Sequence, residues 1–374
     1  MIKIMLLGFL LVVFTGCAVL KKSNTEADGS HSSNNLSDKD NVQFERLFFS
    51  ANKEKMLGNY EEAADLFAQC IRRNPSSAVS MYELANIYSL TGKQKETLFF
   101  AKKAATLEPD NKWYQLFLAE MYKNNKLFDQ AIKVYRQLLK RYPENLDYRY
   151  NLAVIMVLAG DFNDAINEYD KIEEQTGVIE EIVLQKELIY INLNKVDKAA
   201  EELIKLIKTD PSEPRYYGML AELYQANNKY ELALETYQKL LEVSPDDPHV
   251  HLSLANFYRS RGEKEKYFEE LKKAFYNHGL EIDKKGQILL SYYSFTENFP
   301  EHTAQAMELC RIMVETHPDD AKAHSLFADY LYREKKLSEA KDHYKKAARI
   351  DQSQFLVWRQ LLQIESELKD FDAL

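Results

Sequence analysis

Small residues, rings and helix breakers recur along this chain at one interval. Pro75, Pro109, Pro143, Pro211 and Pro245 lie 34 residues apart or a multiple of it, and Gly177 occupies the vacant slot. Counting back from each breaker opens units at Phe44, Ala78, Lys112, Leu146, Glu180, Pro214 and Pro248. Within the units, position 8 is Ala51, Ala85, Ala119, Ala153, Ala221 and Ala255, and position 20 is Ala63, Ala131, Ala165, Ala199 and Ala233. Large groups take position 24 (Phe67, Tyr135, Tyr169, Leu203, Tyr237), and tyrosines take position 11 (Tyr88, Tyr122, Tyr190, Tyr224, Tyr258). Small residues let two helix axes approach, and rings fill the wedge beside them. Gly58, Gly92, Gly160 and Gly262 fall midway, where a left-handed residue would end the first helix. The pattern predicts a helix A, a tight turn and a helix B in every unit.

Toward the C-terminus the interval slips. Ala306 at position 20 and Pro318 at position 32 set an eighth unit beginning at Gln287, which leaves residues 282–286 as an insertion. A ninth unit begins at Ala321, with Ala328, Ala340 and Tyr344 in the expected places, and residues 355–374 supply one more helix. That helix either caps the array or belongs to a chain that continues. In the fifth unit, Lys186 and Glu187 stand where Leu and Ala are expected. Two readings apply: their stems are buried while the charged heads reach an edge, or they make a polar contact to a partner.

This pattern resembles the tetratricopeptide repeat, a helix pair of 34 residues. The resemblance implies an all-α superhelical solenoid of about nine helix pairs plus a terminal helix. Residues 44–281 would form repeats one to seven and residues 287–354 repeats eight and nine. Such solenoids present a concave groove lined by helix A positions 2, 5, 9 and 12, and their usual work is binding. On that register the groove residues are Asn52, Tyr82, Asn86, Trp113, Leu116, Tyr150, Val154, Leu184, Leu188, Ile191, Asn256 and Arg259. In peptide-binding members, asparagine at position 9 holds a ligand backbone, which implies that role for Asn52, Asn86 and Asn256. The apolar stretch from Trp113 to Ile191 offers anchors for a partner, or else is covered by neighbouring repeats.

The N-terminus has a different character. Lys3 precedes an apolar run from Ile4 to Phe14, long enough for a secretory signal and too short to span a membrane. Phe14-Thr15-Gly16-Cys17 resembles a bacterial lipobox, which implies removal of residues 1–16 and lipidation of Cys17. The alternative is ordinary secretion with cleavage near Ala18. Residues 17–43 are rich in Ser, Asn, Asp and Lys and read as a tether. More than one acyl chain is needed for stable anchoring, and Ala18 after the cysteine implies the outer membrane, with the repeats on its periplasmic face.

Net charge is −9, from 49 basic and 58 acidic residues, and no basic cluster suggests nucleic acid. No HExxH, GxSxG, Walker, GxGxxG or CxxC motif occurs, so neither an enzyme nor a metal or cofactor site is expected. His249 and His251 are two apart on a helix, poor spacing for shared ligation. Cys70 and Cys310 read as core residues. The whole pattern resembles multi-repeat lipoproteins of Gram-negative envelopes, particularly those of Bacteroidota. It implies a membrane-anchored adaptor that grips an envelope protein or peptide; the alternative is a recruiter of a peptidoglycan or polysaccharide enzyme.

Overall fold

The computed structural model describes residues 38–293 and 300–368, and every regular element among them is an α-helix. The signal segment, Cys17 and residues 369–374 lie outside the described residues. The first helix pairs are α1 (Asp38–Met56) with α2 (Tyr60–Arg73) and α3 (Ala78–Leu90) with α4 (Gln94–Leu107); α5 (Lys112–Asn124) and α6 (Phe128–Arg141) follow in the chain. Next come α7 (Leu146–Ala159) with α8 (Phe162–Thr176), α9 (Glu180–Asn192) with α10 (Val196–Thr209), and α11 (Pro214–Ala226) with α12 (Tyr230–Val243). The last are α13 (Pro248–Ser260) with α14 (Lys264–Tyr276), α15 (Ile282–Tyr293) with α16 (Pro300–Thr316), and α17 (Ala321–Arg333) with α18 (Leu337–Ile350), followed by α19 (Phe355–Glu367). One compact unit reaches Met121 and a second begins at Tyr122.

The alanines do what their size allows. Ala51 and Ala63 in α1 and α2, Ala153 and Ala165 in α7 and α8, and Ala328 and Ala340 in α17 and α18 are all fully buried. The rings at position 24 are buried with them: Phe67, Tyr169, Tyr237 and Tyr344. Helix starts are capped by local side chains. Asn145 accepts from the Tyr148 N–H at 2.9 Å, and Asp247 accepts from the His249 N–H at 2.8 Å beside Pro248 at the first helical position.

In repeats one to seven and nine, the turn between helices A and B uses one left-handed residue, at position 15. It is glycine at Gly58, Gly92, Gly160 and Gly262, as expected, but lysine or asparagine at Lys126, Asn194, Asn228 and Lys335, with φ between 57° and 60°. In each case the next N–H reaches back to the carbonyl of position 11, as from Lys93 to Tyr88 and from Lys336 to Leu331, at 2.8 and 2.9 Å. That bond closes the end of helix A and holds the non-glycine residues in a conformation they otherwise avoid.

Two sequence expectations are corrected. Helix α1 opens at Asp38, inside the tether expected to reach residue 43. Helix α15 opens at Ile282, which keeps the 34-residue interval from Pro248, so residues 282–286 are its first turn rather than an insertion. The Lys322 ammonium lies 2.6 Å from the Asp283 carboxylate and ties that turn to α17. The excess residues of repeat eight come after Tyr293, before and within the 17-residue helix α16. Counting back from Ala306 and Pro318 misplaced the start because it assumed a repeat of standard length.

Partly buried polar pairs form a pattern of their own. Position 4 of helix A faces position 23 of helix B, 19 residues on. Arg149 donates to Glu168 at 2.7 Å, His251 lies 2.7 Å from Glu270, and His324 lies 2.9 Å from His343. In repeat five, Val183 at position 4 cannot pair with Glu202 at position 23, and Lys186 reaches Glu202 instead. Lys186 is 1% exposed, and its ammonium lies 2.5 Å from Asp170, 2.7 Å from Glu173 and 3.0 Å from Glu202. Burial alone would lower its pKa, but hydrogen bonds to Asp170 and Glu173 and the others around it raise it instead. Neither sequence reading of Lys186 holds: the head is buried within the array. Glu187 at the helix crossing is half-buried, and burial raises its pKa.

Lys285, at position 4 of repeat eight, is the opposite case. It is 0% exposed, and Leu309 stands where its partner would be. Its ammonium donates to Thr316 Oγ1 at 3.2 Å and to His317 Nε2 at 2.8 Å, both neutral acceptors. Burial without a carboxylate pushes its pKa down to about 8.

Candidate functional site

The expected groove residues divide between the two compact units, so the stretch from Trp113 to Ile191 is taken in two parts. In the first unit, Asn52 is half-buried and donates its amide to the Phe48 carbonyl of its own helix at 2.9 Å. The Tyr82 ring packs 4.8 Å from Tyr114 and 5.2 Å from Phe117, between neighbouring repeats. Asn86 and Leu116 are half-buried. Trp113 is 63% exposed on the first turn of α5, with the Lys112 ammonium 5.1 Å from its ring.

In the second unit, the Tyr150 hydroxyl donates to Glu181 at 2.6 Å, linking repeats four and five. Burial and that carboxylate raise its pKa. Val154 is half-buried, and Leu184 packs against the core of repeats five to seven. Leu188 and Ile191 are exposed on α9, at 51% and 40%.

Asn256 and Arg259 have the most defined surroundings. They sit one turn apart on α13 and line two different pockets. The first pocket, about 370 Å³, is lined by Glu222, Gln225, Tyr237, Ser253, Asn256 and Ser260 among others. The buried Tyr237 hydroxyl donates to Gln225 Oε1 at 3.0 Å, which leaves the amide N–H groups of Gln225 for a ligand. Asn256 is exposed at position 9, and together with Gln225 and Glu222 it offers donors and acceptors matched to a peptide backbone.

The second pocket, about 380 Å³, is lined chiefly by apolar atoms of Tyr267, Tyr292 and their neighbours, with Arg259, Ser291 and His302 at its polar points. It forms where the turn at Gly262 meets repeat eight. Sequence reasoning placed Asn256 and Arg259 by register but missed Tyr237, Tyr267 and Tyr292. Tyr267 stands at position 20, where alanine is the rule, and that departure was the available signal. Among the described residues, no group of three or more His, Cys, Asp or Glu is arranged to hold a metal ion. No described helix is long and apolar enough to cross a membrane.

Helix pairs on a 34-residue grid, with alanine crossings and position-15 turns, define an all-α protein of tetratricopeptide repeats. Residues 51–77 and 114–177 match family profiles described as "Tetratricopeptide repeat", and residues 221–262 match one described as "TPR repeat". Among curated relatives, the chain is 29% identical over 167 residues to the BBSome complex member BBS4 of Bos taurus, covering 45% of this chain and 32% of that one. It is 31% identical over 126 residues to the general transcription factor 3C polypeptide 3 of Homo sapiens, covering 34% of this chain and 14% of that one. The chain thus spans a third or less of the length of these relatives. Solved structures similar in fold include Naa15/Naa10 bound to HypK-THB, with a TM-score of 0.49 and 15% identity over 87% of this chain and 61% of that one. Another is YrrB, described as a TPR protein with an unusual peptide-binding site, with a TM-score of 0.35 and 21% identity over 50% of this chain and 96% of that one.

Proposed function

We propose that this protein is a non-catalytic adaptor that holds a partner peptide against repeats six to eight, on both sides of α13. The observation that carries the reading is the placement of Asn256 and Arg259. They are one helical turn apart and line separate pockets. An extended segment crossing α13 therefore meets backbone-matching amides on one side and a ring-walled pocket on the other. Tetratricopeptide-repeat proteins bind partner proteins or peptides, which supports the general role. The sequence Phe14-Thr15-Gly16-Cys17 supports attachment to the outer membrane through a lipid on Cys17, with the repeats in the periplasm and the partner an envelope protein.

Two measurements test this. A photo-cross-linking residue at Ser253 should capture an envelope protein, and Asn256→Leu should abolish that capture while leaving helicity unchanged. Capture that persists undiminished in Asn256→Leu would move the site elsewhere, to the exposed Leu188 and Ile191 face first. For the anchor, a palmitate analogue should label the wild type and leave Cys17→Ala unlabelled; label retained in the variant would remove the anchor from the reading.

A further inference from the structure

The pocket between repeats seven and eight has chemistry that selects what enters it. Three observations converge there. First, Arg259 is exposed and forms no ion pair with any described residue, although the chain carries nine more acidic than basic groups. Its neighbour Arg261 is already occupied, with its guanidinium 4.3 Å from the Tyr230 ring and 4.0 Å from the Glu263 carboxylate. Second, the side chains that line this pocket include Arg259, Lys264 and His302 and no carboxylate. A lining with basic side chains and no acidic one favours an anionic group over a neutral one. Third, the rings of Tyr267 and Tyr292 exclude water from one side of the site, which strengthens any charge-assisted bond made within it.

We infer that this pocket is an anion subsite that takes a side-chain carboxylate, Asp or Glu, of the bound peptide. Arg259 would grip the two carboxylate oxygens through its planar fork. Arg259 and the rings of Tyr267 and Tyr292 line the same pocket, so the charge and the wall that excludes water address one volume. Sequence-wide charge opposes such a ligand: a chain of net −9 repels acidic peptides in general. Preference for an acidic peptide must therefore come from a local site. The inference rests on the peptide-holding role of α13 and adds to it the chemistry of one ligand side chain.

The test uses the full chain and two fluorescein-labelled, C-terminally amidated decapeptides, one of glutamate and one of glutamine. At low ionic strength the wild type should bind the glutamate peptide about tenfold more tightly, one charge-assisted contact's worth of discrimination. Arg259→Gln should erase that preference with unchanged circular dichroism, and Arg259→Lys should restore part of it. The free-acid form of the glutamine peptide should bind no better than its amide, which assigns the preference to side-chain carboxylates rather than the chain end. Equal binding of the two peptides to the wild type, or a preference unchanged in Arg259→Gln, would overturn the anion subsite. Asn256→Leu separates the two levels. If it weakens both peptides alike while the wild type shows no preference, the peptide groove stands and the anion subsite falls. A glutamate preference that depends on Arg259 but ignores Asn256→Leu keeps the subsite and removes the groove.

Discussion

Lys186 and Glu202 lie 3.0 Å apart inside repeat five, and Glu202 occupies the position that elsewhere pairs with the fourth residue of helix A. In repeats four, seven and nine that fourth residue is Arg149, His251 or His324. In repeat five it is Val183, and the lysine one turn later does the pairing. Asp170 and Glu173 of the preceding repeat complete the group, so one ammonium joins two repeats.

Lys186→Met should therefore destabilise repeats four and five strongly. It leaves the buried Glu173 and Glu202 carboxylates with the half-buried Lys205 ammonium in place of the fully buried one, and breaking a buried pair costs up to about 3–5 kcal/mol. Hydrogen exchange should show the loss first in α8, α9 and α10, because solenoid stability is a sum of neighbour terms. Unchanged protection in those helices would mean that the network contributes nothing net.

Lys285→Met should act in the opposite direction. The native ammonium is buried without a counter-ion, and its pKa falls from 10.5 to about 8. That difference corresponds to roughly 3 kcal/mol of native-state penalty at neutral pH, an upper bound. The sign follows from linkage: the folded state holds this proton less tightly, so the penalty is full below pH 8 and fades as pH rises toward 10.5. Urea unfolding at pH 7 should show the variant more stable than the wild type, with the gap narrowing at pH 9.5. A less stable variant would show that the contacts to Thr316 and His317 outweigh desolvation.

Acid should loosen repeat nine. His324 donates from Nε2 to the Pro318 carbonyl at 2.9 Å, so its neutral ring accepts at Nδ1 from His343. Burial, then His324 and Lys346, depress the His343 pKa to about 4. A folded pKa below the unfolded value of 6.5 means that stability is fully present above pH 6.5 and is lost as pH falls toward 4. The slope is about 1.4 kcal/mol per pH unit across that window. His343→Gln keeps a hydrogen-bonding side chain that does not titrate, and its unfolding midpoint should vary less between pH 7 and 5. An equal pH dependence in both proteins would assign the acid response to other groups.

Lys335→Gly should stabilise the turn between α17 and α18. Lys335 has φ of 59°, a left-handed conformation that costs an L-residue roughly 1 kcal/mol and glycine nothing comparable. The gain is partly offset by the greater freedom of glycine in the unfolded chain. The same change at Lys126 should behave alike. A thermal midpoint that falls in both variants would show that unfolded-state entropy dominates.

The sequence alone determined the helix pairs, their period and their buried face. Ala153 and Ala165, or Ala328 and Ala340, can be read from the chain because the closest approach of two helices admits only small side chains, and that steric demand repeats at a fixed interval. The left-handed turn was legible where glycine marks it and invisible at Lys126, Asn194, Asn228 and Lys335, where the backbone bond to position 11 enforces it. The start of repeat eight was misread because Ala306 and Pro318, the landmarks used for counting, lie in and just beyond a 17-residue α16. Tertiary structure decided which register-matched groove residues are available. Tyr82 is packed by Tyr114 and Tyr150 is held by Glu181, while Asn256 and Arg259 line open pockets. Register names the face of a helix, but only packing shows whether a neighbour already covers a side chain on it, because that depends on residues 30 or more positions away.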